Sequence, residues 1–192
     1  IHEADRDRAA EYMDRLLREG QAPEIEHRVL TSDGEVRWLH WRTRQIPNPT
    51  GTGVQYQGVA RDVTERRRAE EALRESEERF RALVEMSPMS ILVIRDGRYV
   101  FGNPASARML GFDRPVHMVG REVLATVAPE FREQTRRRME RAEQGSDNPP
   151  TEIQLIRQDG RRVWTLSTSV AVTMDGRPTV LIAGQDITDR KQ

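Results

Sequence analysis

The sequence predicts an α+β chain in which two blocks of antiparallel strands are joined by one long charged helix. Three observations carry this. Asp-Gly pairs at Asp33-Gly34, Asp96-Gly97, Asp159-Gly160 and Asp175-Gly176 each separate two strand-like runs, the short-range signal of a β-hairpin. Residues 62–85, DVTERRRAEEALRESEERFRALVE, contain neither Gly nor Pro and are rich in Glu, Arg and Ala, so they read as a helix. The blocks on either side of it repeat. Asp33-Gly34 falls on Asp159-Gly160 and Trp38 on Trp164 at an offset of 126, Gly20 on Gly145 at 125, and Asp62-Val63-Thr64 on Asp186-Ile187-Thr188 at 124. A repeat of that length means tandem domains rather than a solenoid.

Taken in order, residues 5–19 are helical by pattern, with Ala9, Tyr12, Met13, Leu16 and Leu17 on one face and Gly20 as the stop. Strands follow over 24–30, 36–46 and 54–61, with a Pro- and Gly-rich loop at 47–53. In the connecting helix Ala69, Leu73, Ser76, Phe80 and Leu83 are spaced 4, 3, 4 and 3, a coiled-coil-like heptad seam. Asp62 and Glu65 have the spacing of a capping box, and Glu70 with Arg74, Glu75 with Arg79 and Glu77 with Arg81 are i,i+4 pairs. The seam covers about two heptads, near the length at which isolated helices are marginal, so the helix is expected to lean on its flanking domains.

Ser87-Pro88 ends that helix, and residues 91–94 pair with 98–102 across Asp96-Gly97. Asn103 and Pro104 start a short helix over 105–110 that Gly111 stops. Residues 112–127 read as short helices and loops, and 129–143 as a second long helix with Phe131, Thr135, Met139 and Ala142 on one side. After a loop at 145–150, strands over 151–157, 162–174 and 178–185 close the chain.

Composition narrows the function. The 192 residues are 36% hydrophobic and 32% charged, an ordinary soluble balance, and 31 basic against 31 acidic residues give no global field for nucleic acid or an anionic membrane. The triplets Arg66–Arg68 and Arg136–Arg138 lie on helices among Glu residues and read as solvated faces. There is no Cys, which removes disulfides, thiolate nucleophiles and Cys metal sites. Apolar runs such as 91–94 and 179–183 are too short to cross a bilayer, so a cytoplasmic location is expected. No Ser-His-Asp set, phosphate-cradling Gly loop or kinase nucleotide box is present, so no catalysis is expected within this chain. It opens at Ile1 inside a helical pattern and stops at Gln192 as another helix starts, and is expected to be a fragment of a longer protein.

The order of elements in the second block, with the phrases TEIQLIRQDGRRVW (151–164) and AGQDITDRK (183–191), strongly resembles the PAS fold and its C-terminal PAC motif. The resemblance covers 77–192 as a complete domain and 1–64 as the C-terminal half of a preceding one, where HEADR (2–6) looks like the phrase that opens the family's long helix. It implies a five-stranded antiparallel sheet with helices on one face, around a pocket that holds haem, flavin, a small metabolite or nothing. The organisation expected is a half PAS at 1–64, a signalling linker at 65–85, a complete PAS at 86–188 and the start of an output helix at 189–192. A half domain exposes a sheet edge, so a homodimeric or domain-swapped contact is expected to cover it.

By that resemblance the pocket's apolar wall comes from Ile91, Val93, Phe101, Met109, Leu110, Leu124, Leu155 and Ile182, with Asn103, Ser106, Thr165 and Ser167 orienting a small ligand. The same residues also suit a plain core with satisfied hydroxyls. The family's flavin photoreceptors use a reactive Cys, two Asn and a Gln. This chain has no Cys, with Leu155 and Thr165 at the Asn positions and Gly184 at the Gln position, which excludes adduct chemistry. Haem-binding members place a His on the long helix, and 129–143 has none. Met139 there reads as core rather than a soft ligand, and His117 as a solvated loop residue. His27 and His40 oppose each other if the first hairpin is symmetric about Asp33-Gly34, a conceivable two-His metal pair. A one-residue shift puts them on opposite faces, and ordinary strand positions are expected. Trp164 falls on the outer face of the sheet in the family register, with plain core as the competing reading.

The function expected is a sensory and dimerisation module of a signalling protein, homodimeric, relaying to an output domain in cis: a histidine kinase, otherwise a cyclic-dinucleotide enzyme. Asp62, Thr64, Asp186 and Thr188 are the expected relay residues. A ligand-free dimerisation scaffold and a haem- or flavin-loaded sensor are the alternatives.

Overall fold

A computed structural model of the chain describes residues 1–20, 24–48, 51 and 53–191, in two units, Ile1–Glu77 and Glu78–Gln192, each with its own antiparallel sheet. In the first, helix α1 (Arg6–Glu19) stops at Gly20, whose φ of 70° glycine adopts without strain and whose N–H closes on the Leu16 carbonyl. Strands β1 (Ile25–Leu30), β2 (Val36–Ile46) and β3 (Gln55–Asp62) follow as a meander. Among the described residues the buried apolar side chains of this unit are Ala9, Leu16, Ile25 and Val63. A polar staple supplements them: the Asp5 carboxylate, 4% exposed, accepts from the Arg28 backbone N–H, Nε and Nη2, each at 2.8 Å.

Helix α2 (Thr64–Met86) is the expected connecting helix. Its start differs from a capping box: Asp62 Oδ1 accepts the N–H of Thr64, two residues on, at 2.9 Å, as in an Asx turn. Glu70 is engaged by Arg66 rather than by the expected Arg74, which reaches Glu71. All five seam residues, Ala69, Leu73, Ser76, Phe80 and Leu83, are exposed.

In the second unit strands β4 (Ser90–Arg95), β5 (Arg98–Gly102), β6 (Asn148–Ile156), β7 (Arg162–Met174) and β8 (Arg177–Asp186) form one sheet in the order β5-β4-β8-β7-β6. Helix α3 (Pro104–Leu110), several short turns and helix α4 (Arg132–Glu143) connect β5 to β6. The core gathers Ile94, Tyr99, Leu110, Met118, Val127 and Val180, each 2% exposed or less. β6 starts inside the stretch expected to be loop. Pro149 and Pro150 lack an N–H, which an edge strand tolerates at the bulge between Asn148 and Thr151.

Two kinds of hairpin separate the Asp-Gly pairs. Asp96-Gly97 (φ 50° and 70°) and Asp175-Gly176 (φ 55° and 70°) have both residues left-handed, as a tight two-residue turn requires. At Asp33-Gly34 and Asp159-Gly160 only the glycine is left-handed, and the loops run from Leu30 to Val36 and from Ile156 to Arg162. That odd-length loop moves the register by one, pairs His27 with Leu39 and Glu26 with His40, and sends the two histidines to opposite faces. The sequence repeat is also a repeat of register: Leu30↔Val36 corresponds to Ile156↔Arg162, and Leu39↔Asp62 to Thr165↔Asp186. Among the described residues no helix is long and apolar enough to cross a membrane.

Candidate functional site

The inner face of the five-stranded sheet and helix α4 line a cavity of about 50 Å³. Five of the expected pocket residues, Met109, Leu155, Thr165, Ser167 and Ile182, line it. The others lie elsewhere. Ile91 and Val93 are out of phase, and Leu92 and Ile94 face the cavity instead. The run Ile91–Ile94 is apolar at both parities, so its alternation carries no phase, and Val93 is itself 6% exposed on the other side. Phe101 is 40% exposed on the edge strand. A bulge between Val93 and Ile94 brings Tyr99, 2% exposed, to the cavity. Leu124 sits in a 3₁₀ turn whose Val123 lines the wall, and Leu110 packs in the core outside the lining.

Asn103 and Ser106 are occupied by the fold itself. Asn103 Oδ1 accepts from Ile91 N–H and Ser106 N–H, both at 3.0 Å, while its Nδ2 donates to the carbonyls of Val84 and Met89. It thereby ties the last turns of α2 to β4 and α3. Ser106 Oγ donates to the Asn103 carbonyl at 2.6 Å.

Of the polar end of the cavity, sequence reading named Thr165 and Ser167 but missed Ser90, Thr135 and Arg138. Ser90, Thr135 and Thr165 line it, are 3%, 8% and 2% exposed, and their hydroxyls have no hydrogen-bond partner among the described residues. Gly184 opens the space between Thr165 and Ser90: a Cβ there would stand 3.1 Å from Thr165 Oγ1 and 3.7 Å from Ser90 Cβ. Half-buried Arg138 also lines this cavity, and burial, then the Arg141 charge, lower its pKa. A signal was available, because Arg138 lies three residues after Thr135 on the same helical stripe. Tyr99 is pushed up to about 12 by burial, and its hydroxyl shares a 2.6 Å hydrogen bond with Thr126. As it stands the cavity is far below the roughly 300 Å³ at which pockets for drug-sized ligands begin, so haem or flavin does not fit it.

The second candidate site is built twice, where each sheet passes into a helix. Trp38 N–H donates to Thr64 Oγ1 at 2.9 Å, and the Trp38 carbonyl accepts from Val63 N–H. Trp164 N–H donates to Thr188 Oγ1 at 3.0 Å, and its carbonyl accepts from Ile187 N–H. Asp62 and Asp186 each accept the N–H of the following Thr at 2.9 Å. In the first copy those bonds to Thr64 hold the Asp62 carboxyl below its ordinary value. The repeat extends to residues the sequence reading passed over. Arg67 lies 5.0 Å from the Trp38 ring and binds Glu26 at 2.8 Å, and Lys191 lies 5.4 Å from the Trp164 ring and binds Glu152 at 2.5 Å. Offsets of 126 from Glu26 to Glu152 and 124 from Arg67 to Lys191 are those already carried by the Trp and Thr positions. Trp164 is half-buried on the face opposite Thr165, with Phe131 edge-on at 5.5 Å.

His27 is buried and stacks on Trp41, burial lowers its pKa, and His40 Nε2 binds Glu24 at 2.7 Å. Among the described residues no three His, Cys, Asp or Glu gather as for a metal ion, and His117 is exposed.

Residues 87–189, just over half of the chain, match the family model described as PAS domain, and residues 1–60 match a second described as PAS fold. The chain belongs to the PAS domain family. It is similar to sporulation kinase A of Bacillus subtilis, at 24% identity over 132 residues, 68% of this chain and 22% of that protein. It is also similar to the two-component sensor PprA of Pseudomonas aeruginosa, at 37% over 76 residues, 40% of this chain and 8% of that one. The chain therefore spans about a fifth or less of the length of these relatives. A solved PAS domain of an HTR-like protein from Haloarcula marismortui shares the fold at 24% identity, with a TM-score of 0.55 over 63% of this chain and 99% of that one.

Proposed function

We propose that this PAS chain is a sensory and relay module of a multidomain signal-transduction protein, working in the cytoplasm. Residues 86–188 form the sensing domain, 1–64 the C-terminal part of a like domain, and 65–85 the linker that carries the first domain's output into the second. Residues 189–192 begin the helix toward an output domain, for which a histidine kinase is the favoured kind. The module is non-catalytic.

The observation that supports this most is the repeated exit. At each end of the chain's two meanders one Trp backbone is bonded to the first residues of a departing helix, so a shift of β7 reaches Thr188 directly. The exposed seam supports homodimerisation: Leu73, Phe80 and Leu83 are 62%, 69% and 67% exposed, and pairing with a second copy would bury them. Replacing Asp186 or Thr188 with Ala in the full-length protein is expected to disconnect output from stimulus while the domain stays folded. Unchanged regulation in both variants overturns the proposal. The small cavity also favours a second reading, a ligand-free scaffold that only dimerises and sets spacing. Native mass spectrometry decides between them, since a bound small molecule removes the scaffold reading.

A further inference from the structure

The polar end of the cavity holds more hydrogen-bonding capacity than the fold consumes. Three hydroxyls, of Ser90, Thr135 and Thr165, are more than nine-tenths buried and have no partner among the described residues. Each would lose free energy by being dry, and the cavity has room for roughly three to five water-sized centres. The Arg138 guanidinium donates to the Pro149 carbonyl, to Thr151 Oγ1 and to the Ser167 carbonyl at 3.0, 2.6 and 3.2 Å. All three acceptors are neutral, two of its five N–H groups remain, and no carboxylate lies within ion-pair distance of it among the described residues. Burial and the neighbouring Arg141 both work against its charge. The lining of one cavity thus combines a cation without a carboxylate partner among the described residues and three hydroxyls the fold leaves unbonded. Away from this end the walls are apolar, formed by Leu92, Val127, Ile153 and Val180.

We propose that this cavity binds a short aliphatic carboxylate, of the size of acetate to butyrate, with its carboxylate between Arg138 and the three hydroxyls and its alkyl tail against the apolar wall. This rests on the sensory reading above and names the ligand class for the same domain. The anion neutralises Arg138 and accepts from the unpartnered hydroxyls, while the volume excludes longer chains. Gly184 is required because any side chain there fills the head-group space.

The test uses the full chain with methyl-labelled Met. Met109 and Met139 both line the cavity and report on its occupancy. Acetate, propionate and butyrate are titrated against propionamide and butanol at matched ionic strength. The expected result is saturable shifts of both methyls with the carboxylates, and binding of the neutral isosteres at least about tenfold weaker, since hydrogen bonds to charged groups are the stronger kind. Arg138→Gln is expected to lose about tenfold for the carboxylates and nothing for the neutral compounds. Gly184→Ala, which leaves every charge in place, is expected to weaken both classes and guards against a folding defect in the Arg138 variant. Equal binding of carboxylate and amide, or indifference to Arg138→Gln in a folded variant, overturns the carboxylate assignment and leaves the sensory reading standing. Absence of methyl shifts with every compound overturns it too, and the relay is then judged by the Asp186 and Thr188 variants alone.

Discussion

Asp5 and Phe131 stand 126 residues apart, and each closes the short turn that enters a long helix. In the first unit Asp5 fixes Arg28, whose guanidinium lies 5.3 Å from the Trp38 ring. In the second, Phe131 meets the Trp164 ring directly at 5.5 Å. One unit supports its exit with charge and the other with aromatic packing, while the bonds from Trp to the departing helix are the same. What the two copies of the repeat share is the exit, and what differs between them is the support beneath it. The cores follow suit, with four buried apolar side chains described in the first unit against the continuous cluster of the second.

The largest effect is expected where packing dominates. Leu110 is 0% exposed, and Leu110→Ala should cost about 3 kcal/mol or more in the second unit. Site-resolved amide exchange on the full chain should show this in β4, β7 and β8 and leave β1 and β2 unchanged. Equal losses in both units would mean that they unfold together, and the contrast between them would fail.

The charged support should break differently. Asp5→Ala removes the buried acceptor of three hydrogen bonds from Arg28 and is expected to destabilise the first unit, by less than the loss at Leu110 because the Arg28 charge left behind is partly solvated. Its hydrogen bonds with Arg28 hold the Asp5 carboxyl well below the usual carboxylate range in the folded state. Stabilisation from this group is thus complete above the unfolded value of about 3.9 and is lost as the pH falls below it. His27 acts in the same direction: burial depresses its folded value, so its contribution is present above about 6.5 and is lost as the pH falls. Amide exchange between neutral pH and mild acid should therefore weaken β1 and β2 before β7 and β8. Asp5→Asn should flatten the acid part of that dependence, and an unchanged slope would remove Asp5 as its cause.

Much of this was legible in the sequence, for reasons that also explain the errors. Hairpin turns, the repeat and the connecting helix depend on local patterns, whereas the strand phase of β7 came from the family register, because polar Thr165 and Ser167 alternating with apolar Trp164 and Leu166 would by pattern alone place the wrong face inward. β4 was not, since four consecutive apolar residues give no phase and only its start at Ser90 fixes which ones face the cavity. The roles of Asn103 and Arg138 were missed for another reason. An Asn that caps a helix and bonds two other segments looks identical in sequence to one that awaits a ligand. An Arg within a triplet looks solvated until the helix face it occupies is known.

The smallest effect separates the two exits most finely. Arg67 is bonded to Glu26 and lies over Trp38, while Lys191 offers a single ammonium between Glu152 and Trp164. A planar guanidinium stacks on a ring and forks to a carboxylate at once, which an ammonium does not. Arg67→Gln should therefore destabilise the start of α2 by about 1 kcal/mol, and Lys191→Gln the helix after Asp186 by about half of that. The indole N–H resonances of Trp38 and Trp164 provide the measurement, each expected to move only with the cation over its own ring and to move less at high salt. If either resonance ignores its cation, that cation does not sit on the ring in solution, and the exits are alike only in their backbone bonds.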